Sequence, residues 1–235
     1  MPLIDIPEIK ELPTTAEAAA EFIWFHQDRL NAISHPLGMG TIEMGKRLSE
    51  VDKRAVVLDY ELALLSEVNE LQENFFWKHW SVEAKTGKRW QLLHPEQESG
   101  EGTIQNVRLE ITDLLFFTVS LLQVKGHMES DWVNSWGDVG SWERPGFSIG
   151  SPDRPEDAQL LLECGLKLME STRSNVGRYA PEIAALLAIY FFAGVTWEKA
   201  LSLYAQKLIK NYERQARGRK QLGDEMAHAE NAGIR

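Results

Sequence analysis

Apolar residues recur at helical spacing through most of the chain, while strand-like alternation is essentially absent. After a proline-punctuated arm, residues 1–13, the run Thr14-Thr15-Ala16-Glu17 reads as a helix start, with threonine as N-cap and an acid in the first turn. The helix that follows carries Phe22, Ile23, Phe25 and Leu30 and ends before His35-Pro36-Leu37-Gly38. A second helical pattern runs from about Ser49 through Trp80, with apolar positions at Val56, Leu58, Leu62, Leu65, Val68, Leu71 and Phe75. Polar, glycine-containing sequence from Ser81 to Gly102 predicts a loop, and a third helix covers about Ile104 to Val124. Between Gly126 and Asp157 the chain combines Trp132, Trp136 and Trp142 with five glycines and three prolines, which predicts an ordered irregular insertion, since disordered segments are poor in aromatics. Helices resume at Pro155 and run to about Val176, then from Pro181 to Ala193 and from Trp197 to about Leu222. Gly194 and Thr196 supply a C-cap and an N-cap between the last two. The tail, 223–235, is polar. The expected architecture is all-α, one domain over residues 1–235 without internal repeats.

Composition narrows the functional classes. A formal net charge of −10 argues against wrapping a nucleic-acid polymer. No apolar run approaches the ~20 residues of a membrane span, and the acidic start Met1-Pro2-Leu3-Ile4-Asp5 lacks the basic region of a secretory signal. The single cysteine, Cys164, cannot form an internal disulfide and reads as a small buried hydrophobe. A cytoplasmic protein is the expectation.

Two acidic pairs interrupt this pattern. Glu67 and Glu70 lie in the second helix, Glu110 and Asp113 in the third, each pair at i, i+3 and so on one helix face. Surface acids on an amphipathic helix tend to have Lys or Arg four residues on. Here Glu67 is followed by Leu71, Glu110 by Leu114 and Asp113 by Phe117, which speaks against a solvated face. Four carboxylates brought together repel unless a cation sits among them. Ligands that are all oxygen suit Mg²⁺, with Mn²⁺ possible, bound together with a phosphate substrate. Past Glu70, Trp77 and Trp80 offer stacking faces for a base and Lys78 a point charge for a phosphate, although core or dimer packing explains any one of these aromatics as well. On the last helix Lys207, Asn211 and Arg214 fall at i, i+4, i+7, a stripe suited to a polyphosphate or simply solvated.

Taken together, these segments resemble the dimeric, all-α dUTPases within the wider all-α nucleoside triphosphate pyrophosphatase group that includes the MazG proteins. That family carries ExxE and then ExxD, here Glu67/Glu70 and Glu110/Asp113. Its first pair continues into a segment like NExxxFKxWS, matched with a shift by Asn69-Glu70 and Phe76-Trp77-Lys78-His79-Trp80-Ser81. Its second reads like ExxDxLHFxLS, matched from Glu110 to Ser120 with Phe116 in place of the histidine. Its C-terminal signature, roughly YxxKxxxNxxRQxxGY, is met by Tyr204, Lys207, Asn211, Arg214, Gln215 and Gly218, with Arg219 in place of the last tyrosine. Gln27 and Leu30-Asn31 fit the family's first helix loosely.

The resemblance implies Mg²⁺-dependent hydrolysis of a deoxynucleoside triphosphate, dUTP first and dCTP, dGTP or another as alternatives, to the monophosphate and pyrophosphate. Glu67 or Glu70 would activate water, and Lys78, Lys207, Asn211 and Arg214 would hold phosphates. Gln27 and Asn31 would read the base, and two copies would form a homodimer. The competing expectation is a non-catalytic helical adaptor, its acidic pairs structural and its tryptophan-rich segment a protein-binding surface.

Overall fold

The computed structural model describes residues 9, 11–138, 155–172 and 181–217. The described residues are helical with no strand, which agrees with the all-α expectation. Helix α1 (Ala16–Ser34) begins where Thr15 Oγ1 accepts the Ala18 N–H at 3.2 Å. It buries Ala20, Ile23, Trp24, Gln27, Leu30 and Asn31 along one face. His35, held extended before Pro36, ends it. A short helix not anticipated from the pattern, α2 (Thr41–Arg47), follows and packs on α4. Gly45 makes that approach possible, because a Cβ there would sit 2.8 Å from the carbonyl oxygens of Gln123 and Val124.

Helix α3 (Glu50–Glu73) starts at Ser49, as expected, but stops seven residues before the expected end at Trp80. Asn74 explains the difference. Its Nδ2 donates to the Glu70 carbonyl at 2.9 Å, filling an acceptor at the helix end, while its Oδ1 accepts the Gly102 N–H at 2.8 Å. The chain then doubles back. Phe76 donates to Gln91 O and Trp90 to Phe76 O, so that buried Phe75 faces buried Leu92 in one isolated antiparallel bridge. The predicted loop holds a single π-turn at Ala84–Lys88, with Gly87 at φ 85°.

Helix α4 (Ile104–Val124), capped by Thr103, has the predicted bounds and contacts α1, α2, α3, α7 and α8. Val107, Ile111, Leu114, Leu115, Val119, Leu121 and Leu122 are buried on all its sides, the pattern of a central helix. The segment expected to be irregular from Gly126 to Asp157 instead opens with helix α5 (Glu129–Asp138). Trp132 and Trp136, four residues apart, form its buried face, and Trp132 Nε1 donates to Ala20 O at 2.9 Å. The glycines and prolines that suggested irregularity cluster after Trp136. Residues 139–154, Trp142 among them, lie outside the described residues.

Helices α6 (Pro155–Ser171) and α7 (Pro181–Ala193) pack on one another, and α8 (Trp197–Arg217) lies along α1. The expected continuations to Val176 and Leu222, the tail 223–235 and most of the arm 1–13 fall outside the described residues, as do Gly218 and Arg219. Cys164 is buried within the apolar core, as expected of a small hydrophobe. No helix among the described residues is long and apolar enough to cross a membrane.

Candidate active site

The turn at Asn74 sets the end of α3 beside the start of α4, because Asn74 Oδ1 also accepts from Asn106 Nδ2 at 3.0 Å. This brings the two acidic pairs together from opposite chain directions. Carboxylate oxygens of Glu67, Glu70 and Glu110 lie within 4.8 Å of one another. Glu110 is buried, Glu67 half-buried and Glu70 exposed. Glu110 Oε1 accepts from Asn106 Nδ2 at 2.9 Å, and Glu70 Oε1 accepts from Ser66 Oγ at 3.1 Å. Burial and the facing Glu110 and Glu70 carboxylates push Glu67 up to about 8, while burial also holds Glu110 above the ordinary carboxylate range.

Asp113, the fourth acid expected in this cluster, is drawn instead into an ion pair with Lys207 of α8. Lys207 is buried, and that burial depresses its affinity for a proton despite the glutamates nearby. Its Nζ lies 3.5 Å from Leu109 O. Arg214 Nη1 reaches Asn211 Oδ1 at 3.4 Å on the same stripe of α8.

A cavity of about 250 Å³, near the lower end of small-molecule sites, opens beside these charges. Lys207, Asn211 and Arg214 line it from α8, Glu67 from α3, and Asp113 with Phe116 and Phe117 from α4. From α1 come Gln27, Leu30, Asn31 and Ser34. One wall is therefore acidic, one cationic and one made of amides and rings. Oxygen-rich ligands on one side and cations on the other form the surroundings that a metal-bound polyphosphate requires. The three gathered glutamates fit a hard divalent cation by their chemistry: all donors are oxygen, and without a cation Glu67 and Glu110 hold protons more tightly than free carboxylates.

Seven of the residues singled out from the sequence meet at this cavity: Gln27, Asn31, Glu67, Asp113, Lys207, Asn211 and Arg214. Glu70 and Glu110 join them through Glu67. Trp77, Lys78 and Trp80 do not line it. Their placement assumed a helix through Trp80, whereas they stand on the turn beyond Asn74, Lys78 Nζ lying 5.6 Å from the centroid of the Trp77 ring and Trp77 edge-on to exposed Trp80. The supporting amides Asn74 and Asn106 had no signal of their own in the pattern. Ser120 had only its place in the resembling motif.

A family model described as dUTPase matches residues 40–218 of the chain. Comparisons with curated proteins and with solved structures gave no match. The matched span takes in α2 to α8 and with them the three glutamates, Asp113, Lys207, Asn211 and Arg214. With well over half its length matched, the chain belongs to the all-α dUTPase family and is a nucleoside triphosphate hydrolase of the dUTP diphosphatase type, not an adaptor.

Proposed function

We propose that this chain hydrolyses a deoxynucleoside triphosphate of the dUTP type to the monophosphate and pyrophosphate, with Mg²⁺ held at Glu67, Glu70 and Glu110. The observation that carries the reading is the meeting of the three-glutamate cluster with the Lys207–Asn211–Arg214 stripe at one cavity. Bound divalent cations would supply charge neutralisation on the phosphate oxygens and polarise the attacked phosphorus. Lys207, Asn211 and Arg214 hold the triphosphate in line for attack, which is where most of the catalytic advantage in phosphoryl transfer arises. Asp113, now paired with Lys207, would be free to join the ligand set were Lys207 to pair with a phosphate oxygen instead. Of the two candidate bases, Glu67 lines the cavity and Glu70 does not, so Glu67 is the better-placed acceptor of the water's proton.

A homodimer is part of this proposal, and α3 supplies its support. Val51, Leu58, Leu62 and Leu65 are 78%, 52%, 55% and 43% exposed. With exposed Ala55 and Asn69 they follow the alternating four-and-three spacing of a coiled-coil seam, on the face turned away from the core. The flanks are complementary in charge: in a parallel pairing Arg54 stands opposite Asp59 of the partner subunit, and the symmetry repeats the pair.

The test is pyrophosphate release from a panel of deoxynucleoside triphosphates with Mg²⁺. Glu70→Ala and Asp113→Ala, each folded by circular dichroism, should lose at least ~100-fold in kcat/KM. Near-native turnover in either variant would refute the assignment.

A further inference from the structure

Glu110 and Asp113 stand three residues apart on α4, so spacing alone would carry both carboxylates to the acidic cluster. Only Glu110 joins it. Its oxygens gather with those of Glu67 and Glu70, whereas Asp113 lies outside that group and pairs with Lys207 of α8. The pair is shielded from water: the Lys207 side chain is 4% exposed and that of Asp113 19%. Among the described residues, the other hydrogen bond of Lys207 is a long one, 3.5 Å to Leu109 O.

The ammonium group also acts on the glutamates beside it. Its charge favours the ionised forms of Glu67 and Glu110, and theirs favour its own protonated form. Lys207 thus serves as a built-in monovalent cation next to the cluster, and in that position it holds the fourth acid. A buried ammonium parts from its carboxylate at high cost unless another anion receives it. Asn211 and Arg214, on the same stripe and lining the same cavity, mark the wall at which phosphate oxygens would do so.

We propose that the Lys207–Asp113 pair is an exchange latch that couples metal binding to polyphosphate binding. A phosphate group draws Lys207 away, which removes positive charge from beside the glutamates and releases Asp113 as a further oxygen donor. A divalent cation repels the same ammonium and competes for the same carboxylate, which frees Lys207 for phosphate. Each ligand relieves what opposes the other, and by linkage the gain is reciprocal. The inference rests on the metal-dependent hydrolase reading above and concerns how the two ligands depend on one another.

Calorimetric titrations with Mg²⁺ alone, and with inorganic tripolyphosphate alone in chelator, test the latch; keeping the two apart excludes direct chelation of one by the other. Lys207→Met, folded by circular dichroism, should bind Mg²⁺ about tenfold more tightly than the wild type with no phosphate present. Unchanged or weaker binding would overturn the latch, since a mere phosphate clamp leaves metal affinity alone and a merely structural pair loses it. Asp113→Asn should bind tripolyphosphate about fivefold more tightly than the wild type. Glu70→Gln removes an equal charge without freeing Lys207, so an equal gain there would reduce the effect to net charge and overturn the exchange. Adding Asp113→Asn should cost more Mg²⁺ affinity in Lys207→Met than in the wild type, and equal costs would again contradict the latch. Should Lys207→Met not fold, the tripolyphosphate arm decides alone. Any of these failures leaves the hydrolase intact, whereas no Mg²⁺ binding by either the wild type or Lys207→Met would defeat the metal reading and the inference with it.

Discussion

Lys207 has two partners available to it, and that choice separates what sequence spacing discloses from what it does not. Its place beside Asn211 and Arg214 follows from i, i+4, i+7 periodicity, and all three do line one cavity. Its ion pair with Asp113 does not follow, because spacing defines a helix face and not the rotamer adopted on it. The same holds for Glu67, whose raised proton affinity depends on Glu110 crossing from another helix. That shift has a consequence for pH. Glu67 takes up its proton near 4.5 when unfolded and near 8 when folded without metal, so the folded state binds more protons between those values. Stability of the metal-free protein should therefore decline as pH rises through that window. Mg²⁺ must displace the proton, so the stabilisation it gives should grow over the same range. Thermal melts at about pH 6 and 8, with Mg²⁺ and with chelator, measure both trends. Glu67→Gln should flatten the metal-free slope; an unchanged slope would count against Glu67 as its source.

Among the elements, helices were legible wherever apolar periodicity and a cap coincided. Thr15, Ser49 and Thr103 mark the starts of α1, α3 and α4. The end of α3 was hidden because apolar periodicity continues to Phe75, whereas the signal that stops the helix is Asn74, whose partners Gly102 and Asn106 lie far along the chain. Helix α5 was masked by neighbouring glycines and prolines that outweighed the i, i+4 pair of tryptophans. Asn74 thus ends one helix, aligns a second and, through Asn106, orients Glu110. Asn74→Ala should destabilise the fold by ~2–3 kcal/mol, read from denaturant unfolding, since it leaves buried groups unpaired. Asn106→Ala should spare more of the stability but weaken Mg²⁺ binding by about tenfold or more in a calorimetric titration. Equal effects of the two substitutions on both measurements would argue against this division of roles.

At the scale of the whole molecule, the all-α architecture and the pairing of the acidic helices were the most legible features, because each rests on periodicity sustained over many residues. The cavity was less so. It draws on α1, α3, α4 and α8, and only the fold joins Gln27 to Lys207. The exposed seam on α3 bears on assembly at this scale. Leu58→Lys combined with Leu62→Lys should give a monomer by light scattering with helical content retained; a dimer of unchanged mass would exclude this face as the interface.

The central claim concerns the bond that is broken, and phosphorus NMR of the reaction mixture addresses it directly. With Mg²⁺ and a deoxynucleoside triphosphate, the account predicts signals of the monophosphate and of pyrophosphate growing together, and none when the metal is chelated. Release of orthophosphate with a nucleoside diphosphate, or turnover that persists in chelator, would contradict it.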